Sequence, residues 1–206
     1  LYGRYRTFCG GNSAELAASS DPREPFLRRI VATHVPEDRS ISILDIGCGD
    51  GALLHCLLRS GYTDVSGVDV SDEQVERART RGVRVDLADL FAFLAGCRAE
   101  STDVVVAMDV LEHLNKREVV QLGDSVHRVL RPGGRWILHT VNAESPFFGR
   151  IRYGDFTHEV AFTSNSLWLN GVAGSGGSGS KSPRVDLRLI PRSFAGGIST
   201  LSLDSN

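Results

Sequence analysis

Ile43-Leu44-Asp45-Ile46-Gly47-Cys48-Gly49-Asp50-Gly51 is the stretch that decides the fold. A short apolar run, with the span of a buried strand, breaks into three glycines at alternate positions. Ala52-Leu53-Leu54 and Leu57-Leu58 then recur at helical spacing. A strand that turns on glycines into a helix presents bare backbone amides and a helix N-terminus at the carboxyl edge of a sheet. A nucleotide-like ligand is expected there.

Outward from this turn, strand and helix signals alternate. Strands are expected at residues 41–46, 65–70, 83–87, 103–107 and 135–141, and helices at 51–59, 72–81 and 116–130. Ser71 has the chemistry of a helix N-cap. The Val-rich run at 103–107 suits a strand buried on both faces. An earlier helix is signalled from Asp21, with Pro22 and Pro25 in its first turn, Phe26, Leu27, Ile30 and Val31 on its apolar face, and an end before Pro36. The βαβα rhythm argues for a parallel sheet with helices on both faces.

After Val141 the rhythm stops. Residues 142–162 form a long connection of the kind that carries function. A short helix is expected at 163–169, a Gly/Ser linker at 174–180, and a closing pair of strands at 185–190 and 197–203. Residues 1–20 form a basic-aromatic arm, with Tyr2, Arg4, Tyr5, Arg6 and Phe8. It is expected either to be poorly ordered, or to close over a ligand or bind an anionic substrate.

The composition is that of an ordinary globular protein, with 206 residues, a formal net charge of −2 and 41% hydrophobic residues. This balance gives no general argument for nucleic acid or membrane as partner. No apolar run approaches the roughly 18–20 residues that cross a bilayer, and Leu1 to Arg6 lack the apolar segment of a signal peptide. Cys9, Cys48, Cys56 and Cys97 contain no Cys-x-x-Cys pair, so a cytoplasmic protein with free thiols is expected, without a disulfide framework or thiolate zinc site.

Gly47, Gly49 and Ala52 also satisfy the dinucleotide pattern, which leaves an NAD-dependent reductase as an alternative. Three features pull away from it. Asp45 stands at the strand end, where a carboxylate can reach an amine; the third glycine falls at Gly51; and a second acid, Asp89, follows the third strand, placed to accept from an adenine amino group.

On these residues the chain resembles the class I S-adenosylmethionine-dependent methyltransferases. The resemblance covers about residues 40–141. Besides the glycine stretch it rests on Gly67-Val68-Asp69-Val70-Ser71, Ala88-Asp89-Leu90, Asp109-Val110-Leu111-Glu112-His113-Leu114 and Val129-Leu130-Arg131-Pro132-Gly133-Gly134. It implies an α/β, Rossmann-like, doubly wound and mostly parallel seven-stranded sheet with the last strand antiparallel. The methyltransferase domain would span 21–206, with an acceptor-side insertion at 142–172. It further implies S-adenosylmethionine as cofactor, held by Asp45, Gly47, Cys48, Gly49, Gly51, Asp69, Val70, Asp89, Leu90 and Met108. Within that set Asp69 would hold the ribose diol, Asp45 would lie near the amino group, Asp89 would face the adenine, and Met108 and Asp109 would border the sulfonium. Cys48 needs only to be small and is not expected to be a nucleophile.

Asp109, Glu112 and His113 fall at i, i+3 and i+4 and are expected on one face of a helical turn, as metal ligands or as an acid-oriented base. A further histidine, His158, comes in Gly154-Asp155-Phe156-Thr157-His158-Glu159-Val160-Ala161-Phe162-Thr163. This arrangement is similar to ubiquinone-biosynthesis O-methyltransferases and to methyltransferases of sugar, glycan and secondary-metabolite clusters. It is also similar to small-RNA 3′-end 2′-O-methyltransferases, whose metal ligands are Glu, Glu, His and His. Here Asp109 replaces the first Glu, and Val141 replaces the proline of their Thr-Pro-Asn-x-Glu run, echoed as Thr140–Glu144.

The resemblance implies O-methylation of a small molecule or sugar, with His113 or His158 taking the proton. Arg150, Arg152 and Tyr153 are candidates to hold the acceptor. The alternatives are a Mg- or Mn-dependent enzyme acting on an RNA 3′ end, with Asp109, Glu112, His113 and His158 as ligands, and a non-catalytic S-adenosylmethionine-binding scaffold. In the plainest alternative, His113 caps its turn through a hydrogen bond to Glu112.

Overall fold

The structure is a computed structural model that describes residues 21–169, 186–192 and 201–202. The N-terminal arm and the Gly/Ser tract lie outside the described residues. The chain divides into two compact units, Leu1–Phe93 and Leu94–Asn206.

In the first unit, α1 (Glu24–His34) carries a proline in its first turn and buries Leu27, Ile30, Val31 and His34. β1 (Ser42–Ile46), β2 (Asp64–Asp69) and β3 (Val85–Leu87) form a parallel sheet in the order β3-β2-β1. Between them run α2 (Ala52–Arg59) and α3 (Asp72–Thr80). Ser71 caps α3 by accepting from the Gln74 amide, as its position predicts. Ile46, Leu54 and Leu57 are fully buried, each contributing about 1.5–3 kcal/mol of transfer free energy. The division between the units falls within α4 (Leu90–Gly96).

The second unit is built on β4 (Thr102–Met108), β5 (Leu130–Val141) and β6 (Asp186–Arg192), which pair in parallel, with β7 (Leu201–Ser202) antiparallel to β6. Val104, Val105, Val106 and Ala107 are all buried, as a strand covered on both faces requires. α5 (Lys116–Val129) opens on a capping box between Asn115 and Glu118 and buries Val119, Leu122, Val126 and Val129. The 142–162 connection holds α6 (Phe148–Arg152) and closes on a bridge between Asn142 and Phe162, before α7 (Ser164–Leu169).

One boundary differs from expectation by five residues. β5 begins at Leu130, ahead of the Pro-Gly-Gly turn, rather than at Arg135. Thr102 pairs with Leu130 and Val104 with Arg135, so the intervening residues bulge out of the ladder. Pro132, lacking an N–H, cannot continue it.

Candidate active site

In the first unit β1 runs into the glycine loop. The Gly47 and Cys48 amides both donate to Val68 O, at 2.8 and 3.1 Å, which ties the loop to β2. Gly49 and Gly51 have φ of +53° and +71°, a region costly for residues with a Cβ. A Cβ at Gly49 would meet nothing within 4 Å, so that side of the loop is open. At Gly51 it would lie 2.7 Å from Val83 Cγ2.

Asp69 ends β2, and its two carboxylate oxygens are divided between two amides. Oδ2 accepts from Gly49 N–H and Oδ1 from Ser71 N–H, both at 2.8 Å. Asp45 is 2% exposed, and its Oδ1 has no hydrogen-bond partner among the described residues. Burial, and then the charge of Asp69, pushes its carboxyl well above the usual range. The Cys48 thiol is also pushed far up by burial, which fits a packing role.

Asp89 is exposed, and its Oδ1 accepts from the Phe91 and Ala92 amides at 3.0 Å each, so it caps α4. Beside these acids, Val70 and Leu87 stand about half exposed at the ends of β2 and β3.

In the second unit β4 ends at Met108, and the structure corrects the expectation that Asp109, Glu112 and His113 share one helical face. Only Leu111–His113 is helical, as a single 3₁₀ turn, and Asp109 stands before it with φ +55°. Its amide donates to His139 O at 2.9 Å, and its Oδ1 lies 2.8 Å from His139 Nδ1. Glu112 is fully buried; its Oε2 accepts from Thr140 Oγ1 at 2.8 Å, and its backbone carbonyl accepts from the Glu159 amide at 2.7 Å. The turn is thereby fastened to both β5 and the 142–162 connection.

His113 does not cap its turn through Glu112. Its Nδ1 lies 2.9 Å from Thr157 Oγ1 and 3.4 Å from Thr157 O. Thr157 Oγ1 donates to Asp155 Oδ1 at 2.7 Å. A hydroxyl carries one proton, and the carbonyl can only accept, so His113 Nδ1 is the donor and Nε2 bears the lone pair. His158 follows the same logic: its Nδ1 is 3.1 Å from Ile151 O and must donate. The two rings lie 4.8 Å apart. Burial, and then the neighbouring His158, lowers the pKa of His113. Glu112, His113 and His158 each offer a ligand atom within 4.8 Å of the others, and Asp109 is not among them.

Around this cluster, Arg152 Nη2 donates to Glu159 O at 2.6 Å, while Tyr153 and Phe156 are strongly exposed. His139 is the residue that pattern-reading missed. A polar pair, His139-Thr140, at the carboxyl end of the buried strand Trp136–Val141 was the available signal.

Residues 43–134 match a protein family described as a methyltransferase domain. Over 131 residues the chain is 35% identical to a ubiquinone biosynthesis O-methyltransferase of Sinorhizobium medicae, covering 58% of this chain and 52% of that one. Over 103 residues it is 37% identical to the 27-O-demethylrifamycin SV methyltransferase of Amycolatopsis mediterranei, covering 47% and 37%. The chain thus spans about half or less of these relatives' length. An S-adenosylmethionine-dependent methyltransferase from Archaeoglobus fulgidus shares the fold, with a TM-score of 0.65 at 19% identity over 80% of this chain and 69% of that one. Over residues 43–134 the chain thus matches a methyltransferase domain, and it has the Rossmann-like α/β fold seen in S-adenosylmethionine-dependent methyltransferases.

Proposed function

We propose that this protein moves a methyl group from S-adenosylmethionine to a hydroxyl oxygen of a small molecule or sugar. The observation that carries the reading is the contact of His113 Nδ1 with Thr157. With Nδ1 committed to Thr157, Nε2 holds a lone pair, and the lowered pKa keeps the ring neutral. O-methylation releases one proton from the acceptor hydroxyl, and a neutral imidazole near physiological pH is suited to take it. Asp155 and Thr157 hold the ring in that tautomer.

The first unit's residues fit the cofactor. The buried Asp45 Oδ1 without a partner suits an ammonium group, the open face at Gly49 admits close approach of a ligand, and the Asp69 carboxylate suits a diol. Val70, Leu87 and Leu90 offer apolar surface for an adenine, beside Asp89. When bound, the cofactor supplies an electrophilic methyl on sulfur. The relatives named above are O-methyltransferases of a quinone pathway and a rifamycin, which supports a small-molecule acceptor. Arg150, Arg152 and Tyr153 are the residues of the connection assigned to holding it.

The test combines calorimetry with S-adenosylhomocysteine and methyl-labelled transfer to a panel of phenols, catechols and sugars. Tight binding, oxygen-linked product and loss of turnover in His113→Gln are expected. Absence of S-adenosylhomocysteine binding, or transfer only to nitrogen or carbon, overturns the reading.

A second reading of the same cluster is a divalent cation, Mg or Mn, held by Glu112, His113 and His158. It is favoured by the placing of one ligand atom from each of these residues within 4.8 Å of the others. Each ligand also has an outer partner, respectively Thr140, Thr157 and Ile151 O. Asp109, paired to His139, stands outside this set. Full turnover after exhaustive chelation, with no metal found by elemental analysis, would exclude it.

A further inference from the structure

The glycine loop is held from behind by charged groups that the proposed chemistry does not use. Asp50, between the two left-handed glycines, is 5% exposed. Arg23 Nη2 reaches both of its carboxylate oxygens, at 2.9 and 2.7 Å. The same guanidinium is forked onto Asp21, with Nε to Oδ1 at 3.0 Å and Nη2 to Oδ2 at 2.7 Å. Arg81, just past α3, closes the ring at 3.4 Å from Asp21 and 3.3 Å from Asp50. Two guanidiniums therefore alternate with two carboxylates, and three elements distant in sequence meet at one loop residue.

A buried carboxylate between two glycines is costly unless paired, and the loop backbone on either side is conformationally permissive. The pairing consequently does more than cancel charge. It selects one loop conformation, the one in which the Gly49 amide reaches Asp69. Arg23 and Asp21 precede the matched family segment, residues 43–134, so the loop is organised partly from outside it.

We infer that Arg23 and Arg81 are positioning residues for the cofactor, acting through Asp50 to hold the glycine loop in its binding conformation. This rests on the assignment of S-adenosylmethionine to the loop. Arg23 is forked onto Asp21 through Nε and Nη2 while the same Nη2 serves Asp50, a planar geometry that an ammonium does not reproduce, so lysine at position 23 restores only part of the effect.

The test measures S-adenosylhomocysteine affinity by calorimetry and amide exchange across residues 47–51 without ligand, for the wild-type chain, Arg23→Ala, Arg23→Lys, Asp50→Asn and the Arg23→Ala/Asp50→Asn double variant. Arg23→Ala and Asp50→Asn should each weaken binding roughly tenfold and speed loop exchange, as loss of supporting geometry does. Arg23→Lys should recover part of both, and the double variant should lose no more than the worse single one. Wild-type affinity in a folded Arg23→Ala or Asp50→Asn, or simple additivity, overturns the inference. If Arg23→Ala fails to fold, unchanged affinity and loop exchange in Arg23→Lys and Asp50→Asn overturn it equally. Failure of the wild-type chain itself to bind S-adenosylhomocysteine refutes the cofactor assignment instead.

Discussion

His139 Nδ1 lies 2.8 Å from Asp109 Oδ1, in a pair that joins the residue following β4 to the carboxyl end of β5. The register places Met108 opposite His139, so the side-chain contact is made only because Asp109 turns back with φ +55°. Alanine at 109 removes the hydrogen bond and places a Cβ in the left-handed region without a polar side chain to compensate. The two losses together are expected to cost about 2–3 kcal/mol. Asp109→Gly loses the same hydrogen bond but relieves the backbone, so in urea it should be more stable than Asp109→Ala by about 1 kcal/mol. Equal midpoints and slopes for the two would show that the turn carries no strain.

Turnover should follow the neutral form of His113. Burial and the neighbouring His158 lower its pKa below the ordinary 6.5, so kcat should rise with pH through a value under 6.5 and then level off. His113→Gln should lower kcat by about 10²–10⁴-fold and remove that limb, while S-adenosylhomocysteine affinity stays unchanged. A pH–rate profile whose acid limb persists in the variant assigns the proton transfer elsewhere.

What the sequence disclosed follows the range of the interaction. The glycine turn and the Ser71 cap are local steric or hydrogen-bond requirements, and their residue types announce them directly. Asp69 ends β2 where the strand pattern puts it, while its role toward a ribose rests on the family resemblance. The Asp109–His139 pair was not legible, because it depends on β4–β5 register and one unusual backbone angle. For the same reason, equal spacing on a helix wrongly grouped Asp109 with Glu112 and His113. Arg23 and Asp50 meet across 27 positions, and such ion pairs leave no periodic trace. Asp89 was read toward a ligand, and the structure adds its cap on α4.

Asp45 should trade stability for binding. Its folded-state pKa is raised above 3.8 by burial, so its contribution to stability is fullest below that value and is lost as pH rises through the folded pKa. At pH 7, Asp45→Asn removes this penalty and should raise the melting temperature of the unliganded protein. The same change removes the negative charge proposed to face the cofactor's amino group, so S-adenosylhomocysteine should bind roughly tenfold or more weakly. Thermal melts with and without S-adenosylhomocysteine separate the two effects. A variant that melts lower and binds as tightly as wild type would place Asp45 in a purely structural role.

Asp21 gives the ion ring behind the loop a defined acid limit. The Arg23 hydrogen bond holds its carboxyl at about 2, below the ordinary 3.8. A depressed carboxylate pKa contributes stability that is present above the unfolded value and lost as pH falls through the folded one. The stability difference between wild type and Asp21→Asn should therefore be constant from neutral pH down to about 4, shrink between about 4 and about 2, and close below that. Arg23→Ala should narrow the same gap at neutral pH, because it removes the main cause of the shift. Denaturant titrations at stepped pH measure the difference. A gap that stays constant through pH 2 would show that Asp21 gains nothing from its guanidinium partners.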